Sequence, residues 1–300
     1  MHLRTLAASS RPPFLLLTLT SVLLGYAVAR LAVDSVDAGM LLLVLAGALC
    51  AHASVNLLNE YHDFRSGLDL QTQRTPFSGG SGALPANPQA AGDVRVLGYG
   101  MLAVCITVGL LLAWNAGPGI LLVGIPGVLL VLAYTPWLTR HAWLCLAAPG
   151  IAFGPLMVAG TAFVLSGEYS GAAILASLLP LCLASNLLLL NQYPDIEADL
   201  ALGRRHQLNL RGARTGAVVY VVFLLAAFAV PVLGVATGKL PAGALIGLLC
   251  LGIAVPVAAG VWRRAVQDGD MRRLLAPNVA LSLLMAVLVG LGILLYTGMN

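Results

Sequence analysis

The sequence predicts an all-α fold: a polytopic membrane protein of nine transmembrane helices, with its N-terminus in the cytoplasm. Three observations carry that expectation. Mean hydropathy is +0.93 and charged residues make up 9% of the chain, against roughly 25% in a soluble domain. Nine apolar runs match the length of about 20 residues that a bilayer-crossing helix needs. When those runs alternate direction, 14 of the 16 Lys and Arg residues fall on one side, the asymmetry of cytoplasmic loops.

The first run, 13–33, ends near Ala27-Val-Ala29, which resembles a cleavage site. Its apolar stretch from Phe14 to Ala29 is at or above the roughly 7–15 residues usual for a signal peptide, so it reads as a retained first helix. The others are 38–58, 96–114, 118–136, 143–165, 171–190, 215–237, 241–262 and 277–296. The fourth and fifth have the weakest edges, because Pro118, Pro136 and the stretch from Gly150 to Pro155 interrupt the apolar pattern. The basic residues placed inside run from Arg4 and Arg11 through Arg65, Arg74, Arg95 and Arg140 to Arg204, Arg205, Arg211, Arg214, Arg263, Arg264, Arg272 and Arg273. Arg30 and Lys239 are left outside. Outer loops are short, whereas the inner segments 59–95 and 191–214 are long, so polar machinery gathers on the inner face. The five cysteines lie inside apolar runs with no CxxC pair and read as small hydrophobes.

A polar phrase occurs twice. Asn59-Glu-Tyr-His-Asp63 is followed by Asp69, and Asn191-Gln-Tyr-Pro-Asp195 by Asp199, in a chain with only 12 acidic residues. Both phrases end a helix on the inner side, four helices apart, and so keep the same orientation. This predicts a parallel duplication within one domain over 1–300: halves of roughly 13–140 and 143–273, four helices each, with 277–296 added. Parallel repeats place equivalent helix ends around one cavity.

Asn191, Asp195 and Asp199 are spaced i, i+4, i+8 and share one face if the helix continues. Pro194 could instead open a new helix that still presents both aspartates. Gly67 is expected to end the second helix, so that Asp69 reaches the site from a turn. Carboxylates gathered this way repel unless a cation lies between them. Mg²⁺ takes oxygen ligands, commonly one or two carboxylates plus phosphate oxygens. Two facing clusters therefore suit a magnesium-bridged diphosphate, with Asp63, Asp69, Asp195 and Asp199 as metal ligands and Asn59 and Asn191 supporting them. Gly79-Gly80-Ser81-Gly82 lacks the Lys-Ser/Thr of a P-loop.

Arg65 and Arg74 follow the first cluster, Arg204, Arg205 and Arg211 the second, and Arg140 lies after Tyr134-Thr-Pro136. Arginine forks suit phosphate oxygens, and Arg74, Arg140, Arg204 and Arg205 are the candidates. Nine spans suit a substrate with a long isoprenoid tail. Its carbocation would need aromatic faces, for which Tyr61, Tyr134 and Tyr193 are candidates. His52 and Asn56 form a polar stripe above Asn59 and are read as cavity-lining. His141 and His206 are read as loop residues without a supporting constellation.

These motifs resemble the UbiA family of intramembrane prenyltransferases: Asn59/Asp63/Asp69 and Asp195/Asp199 stand where that family has its two acidic motifs. The resemblance covers nearly the whole chain. The run Asn59-Glu-Tyr-His-Asp-Phe-Arg-Ser-Gly-Leu-Asp69, then Phe77-Ser-Gly-Gly-Ser81, is most similar to the branch that prenylates 1,4-dihydroxy-2-naphthoate for menaquinone. The chain departs from it after the second motif, where relatives commonly read Gly-Lys-x-Thr-Leu and this chain reads Gly203-Arg-Arg-His-Gln-Leu208.

The resemblance implies Mg²⁺-dependent transfer of a polyprenyl group from its diphosphate to an aromatic acceptor, in a bacterial inner membrane, with the site facing the cytoplasm. Partners would be the polyprenyl diphosphate, the acceptor and the bilayer, and no nucleic acid. Other acceptors stay open: 4-hydroxybenzoate, homogentisate, a tetrapyrrole or glyceryl phosphate. A multi-span transporter is the distant alternative, disfavoured because charges gather at one face rather than at the midplane.

Overall fold

A computed structural model describes residues 2–72, 74–267 and 270–298. Those residues are helical or in turns, with no strand among them. Eight helices among them are long and apolar enough to cross a membrane. We label the apolar helices α1 (Pro12–Ala29), α2 (Ala38–Ser66), α3 (Pro88–Ala116), α4 (Pro118–Ala133), α5 (Ala142–Ser166), α6 (Gly171–Asn191), α7 (Gln207–Ala236), α8 (Ala242–Gln267) and α9 (Arg272–Thr297). All nine predicted runs are helical, but α4 is shorter than membrane length. Gly117 and the turn from Tyr134 to Trp137 cut it at both ends, where prolines remove backbone donors.

Each helix packs against the next in sequence, and α9 returns against α1. α6 is central, with 72% of its apolar window buried, whereas α3 is peripheral at 22%. Large apolar side chains such as Trp114, Leu122 and Leu249 point outward, as helices surrounded by lipid require.

Local chemistry explains the helix ends. The Asp37 side chain caps α2 by accepting from Met40 N at 3.0 Å, and Ser170 caps α6 through Ala173 N at 3.1 Å. Gly67, with φ +83°, ends α2 in the left-handed conformation that glycine adopts without strain. α7 is interrupted by non-helical backbone at Gly212, just before its predicted apolar run from 215, which starts where the basic residues end at Arg214.

The predicted weakness of the fifth run becomes a structural feature. Within α5, Ala152–Ala159 forms a π-helical stretch around Pro155, a local widening that absorbs the missing donor. Gly150 and Gly154, four residues apart, let α5 close on α6. A Cβ on Gly154 would sit 2.3 Å from Ser177 O, and one on Gly150 2.4 Å from Leu181 O. Small residues at this spacing allow helix backbones to touch. Gly154→Val is therefore expected to wedge α5 from α6 and cost about 2 kcal/mol by overpacking. A thermal melt in detergent measures it, and a parental melting temperature would show that the contact is dispensable.

Candidate active site

The helices surround a cavity of about 380 Å³ with an apolar body and, at the 59–69 and 191–206 end, a polar mouth. Ten of the residues singled out from sequence line it: His52, Asn56, Asn59, Asp63, Asp69, Tyr134, Asn191, Asp195, Asp199 and Arg204. The two phrases, 132 positions apart, therefore open onto one space.

Neither acidic segment is one continuous helix. α2 stops at Gly67, and Asp69 sits in the short helix Leu68–Gln71. α6 stops at Asn191, the chain turns through Pro194, and Ile196–Ala201 forms a new helix with Asp195 at its N-cap position. Of the two readings open for the second cluster, the new helix is the one observed. Asp195 and Asp199 keep their one-turn spacing on it.

Arg204 joins the clusters. Its Nη2 donates to Asp63 Oδ1, and its Nη1 lies 3.6 Å from Asp199 Oδ1. Asn59 Nδ2 donates to Asp63 Oδ2 at 3.0 Å and to Thr135 Oγ1 at 3.1 Å, tying α2 to the segment after α4. Higher in the cavity, His52 Nδ1 and Thr18 Oγ1 are 2.8 Å apart, and the His52 ring meets Phe153 edge-on. Asn56 Nδ2 donates to Ser10 O at 3.0 Å.

Several buried oxygens around the mouth lack a hydrogen-bond partner: Asp69 Oδ2, Asp195 Oδ1, Asn191 Oδ1 and Gln192 Oε1. Burial first, then the neighbouring carboxylates Asp63 and Glu60, raises the pKa of Asp69 to about 7. Burial first, then Asp199, raises Asp195 to about 7. Unsatisfied acceptors and proton-hungry carboxylates are what a hard divalent cation relieves, so the donor set fits Mg²⁺. Among the described residues, no three acidic, His or Cys side chains form a complete metal-binding group. An ion there would complete its shell with water or phosphate oxygens.

Five candidates lie outside the cavity lining. Tyr61 packs with Leu57, Leu84 and Val94, and its hydroxyl accepts from Arg95 Nη1 at 3.4 Å. Tyr193 donates to Ala213 O at 2.9 Å. Tyr61 is two positions after Asn59, and residues i and i+2 do not share a helix face; Tyr193 lies past the end of α6, in the turn before Pro194. Arg140 and Arg205 are exposed. Arg74 donates to Ser81 O at 2.8 Å and so braces a loop at the mouth.

Sequence reasoning passed over four mouth residues. Arg11 and Gln192 line the cavity. Glu60 is fully buried beside it. His206, read as an unsupported loop residue, is instead 2% exposed, with Nε2 3.4 Å from Asp199 Oδ2 and Nδ1 capping α7 through Asn209 N. A signal for Glu60 was present: a carboxylate in an apolar helix rarely survives unpaired.

Gly80 approaches Asp69 closely. Its φ is +75°, and a Cβ there would lie 2.7 Å from Asp69 Oδ1. Gly80→Ala is expected to cost about 1–2 kcal/mol in backbone strain and to displace the Asp69 carboxylate. Thermal melts together with prenyl-transfer kinetics test both effects. A variant equal to the parent in both would mean that this contact is slack.

Eight membrane-length apolar helices mark an integral membrane protein, and the family match makes it a prenyltransferase. The UbiA prenyltransferase family matches residues 17–284, and the chain belongs to that family. Curated relatives include a 1,4-dihydroxy-2-naphthoate octaprenyltransferase of Haemophilus influenzae, 27% identical over 96% of this chain and 94% of that protein. An enzyme of the same name from Bacillus subtilis is 27% identical over 82% of this chain and 74% of that protein. Among solved structures, a UbiA homolog from Aeropyrum pernix superposes with TM-score 0.67 at 19% identity, covering 93% of this chain and 97% of that one. A homolog from Archaeoglobus fulgidus bound to DMAPP and Mg²⁺ gives 0.64 at 11% identity, covering 96% and 98%. These likenesses establish the shared fold.

Proposed function

We propose that the protein transfers a polyprenyl group from polyprenyl diphosphate to 1,4-dihydroxy-2-naphthoate, in a Mg²⁺-dependent step of menaquinone biosynthesis. The observation that carries the reading is Arg204 reaching Asp63 of one phrase and Asp199 of the other. Both clusters can then act on a single diphosphate. Bound Mg²⁺ would supply Lewis-acid charge to the leaving diphosphate.

Asp63, Asp69, Asp195 and Asp199 would hold the metal, with Asn59 and Asn191 orienting those carboxylates or the metal's waters. Arg204 would take up the phosphate charge released at the mouth. The apolar walls, including Phe14, Leu17, Phe153 and Leu156, would accept the isoprenoid tail and keep water from the allylic carbon. Tyr134, facing the same cavity, is placed to present an aromatic face to the developing cation. The acceptor assignment rests on the two curated relatives and on the Asp63–Asp69 spacing. A bound DMAPP and Mg²⁺ in the Archaeoglobus homolog supports the metal-diphosphate part.

We read α4 as a ninth span despite its length, completing two parallel four-helix units, α1–α4 and α5–α8, with α9 added. The mouth would face the cytoplasm of a bacterial inner membrane, consistent with the basic loops on that side. Incubating detergent-solubilised protein with Mg²⁺, labelled geranylgeranyl diphosphate and a panel of ring acceptors tests the reaction. Prenylated naphthol is expected, with release of diphosphate and, from the naphthoate carboxylate, CO₂. Product on a different ring would reassign the acceptor, and no Mg²⁺-dependent diphosphate release would refute the reading.

A further inference from the structure

We propose that Glu60 is a positioning residue: it ties the N-terminal turn and the Gly79–Gly82 loop to α2, and so holds that loop against Asp69. Glu60 has no solvent exposure, yet it carries a full set of partners from two distant segments. Arg11 donates from Nη2 at 2.8 Å and from Nε at 3.3 Å. The Ser81 amide donates to Oε2 at 3.1 Å and to Oε1 at 3.2 Å, and Ser81 Oγ donates to Oε1 as well.

Both partners bear on the cavity. Arg11 lines it and is held left-handed at φ +52°, unlike every other non-glycine residue described. Such a conformation persists where surrounding contacts impose it, and the ion pair is the contact at hand. Ser81 follows Gly79 and Gly80, which both line the cavity, and Gly80 presses on Asp69. The Arg74 guanidinium fills the space where Gly82 lacks a side chain, so that a Cβ there would collide with it, and it donates to Ser81 O. Arg74 and Glu60 thus both grip the loop at Ser81. A carboxylate serves this purpose because its two oxygens accept from a guanidinium and a backbone amide at once.

The inference rests on the assignment of Asp69 to the metal-diphosphate site, and Asp69→Asn tests that assignment separately. The experiment compares Glu60→Gln, Ser81→Ala and Asp69→Asn in two measurements. One is the KM for geranylgeranyl diphosphate against kcat; the other is amide hydrogen exchange over residues 77–82 in metal-free protein.

Glu60→Gln is expected to raise KM about tenfold or more, in the range for residues that orient metal ligands, with kcat within about threefold. Ser81→Ala leaves the Arg11 pair in place and is expected to raise KM in the same direction by about threefold. Both are expected to speed exchange in the loop about tenfold. If Glu60→Gln does not yield folded protein, Ser81→Ala decides alone. Parental KM and parental loop exchange in the folded variants, with Asp69→Asn impaired, would overturn the positioning role and leave the site assignment standing. A parental KM in Asp69→Asn would overturn the site assignment itself.

Discussion

Asp63→Asn is expected to reduce prenyl transfer on the order of 10³-fold while the protein still folds and inserts. Several kcal/mol of transition-state charge stabilisation come from a metal held at such a site, and each 1.4 kcal/mol is about tenfold in rate. Asparagine keeps the shape of the side chain and can still accept from Arg204. What it loses is the negative charge that would hold the cation. Asp63 is 5% exposed, so no solvent-borne group replaces it. Turnover at saturating Mg²⁺ is the measurement, with a monodisperse gel-filtration peak as control. Activity within tenfold of the parent would remove Asp63 from the metal site. Asp195→Asn should behave alike from the other cluster.

Removing Arg204 should have the second-largest effect, and its size depends on metal. Without the guanidinium, Asp63 and Asp199 face each other uncompensated in a desolvated mouth. Breaking a buried pair costs about 3–5 kcal/mol. The Arg204 side chain is 20% exposed, so about 2 kcal/mol is a better expectation after solvent screening. Arg204→Ala should therefore melt earlier than the parent in EDTA, and Mg²⁺ should stabilise the variant more than it stabilises the parent. Its kcat/KM should fall about 10²-fold, as for loss of one preorganised charge contact. Arg204→Lys should recover most of that, since a lysine keeps the charge but not the fork. Equal melting temperatures of parent and Arg204→Ala in EDTA would mean that the bridge contributes nothing.

The elements most legible in the sequence were those written in local chemistry. Gly67 announced the end of α2, and Pro194 raised a new helix at Asp195 as one of two readings, the one the structure takes. The shared phrase marked two helix ends that open onto one cavity. Tyr61 and Tyr193 show the limit of reading a phrase as a unit. Their aromatic rings within the phrases made them candidates, but Tyr61 lies off the cavity-facing side of α2, and Tyr193 lies in the turn after α6, bonded to Ala213 O. Arg11 shows a different limit. As one of many inner-face arginines it carried no distinguishing mark, and its pairing with Glu60 spans 49 positions. His206 is similar, because its approach to Asp199 depends on the turn through Gly203.

What the sequence alone determined was the solvent and the place of the scarce acids. So little charge in so apolar a chain cannot fold in water, and the few acidic residues gather in two like phrases at helix ends. The tertiary structure decided which of the cationic and aromatic side chains reach that place. Composition and spacing act along the chain, whereas the convergence of Asp63, Asp199 and Arg204, and the grip of Glu60 on Arg11 and Ser81, arise only when packed helices bring distant segments within hydrogen-bonding distance.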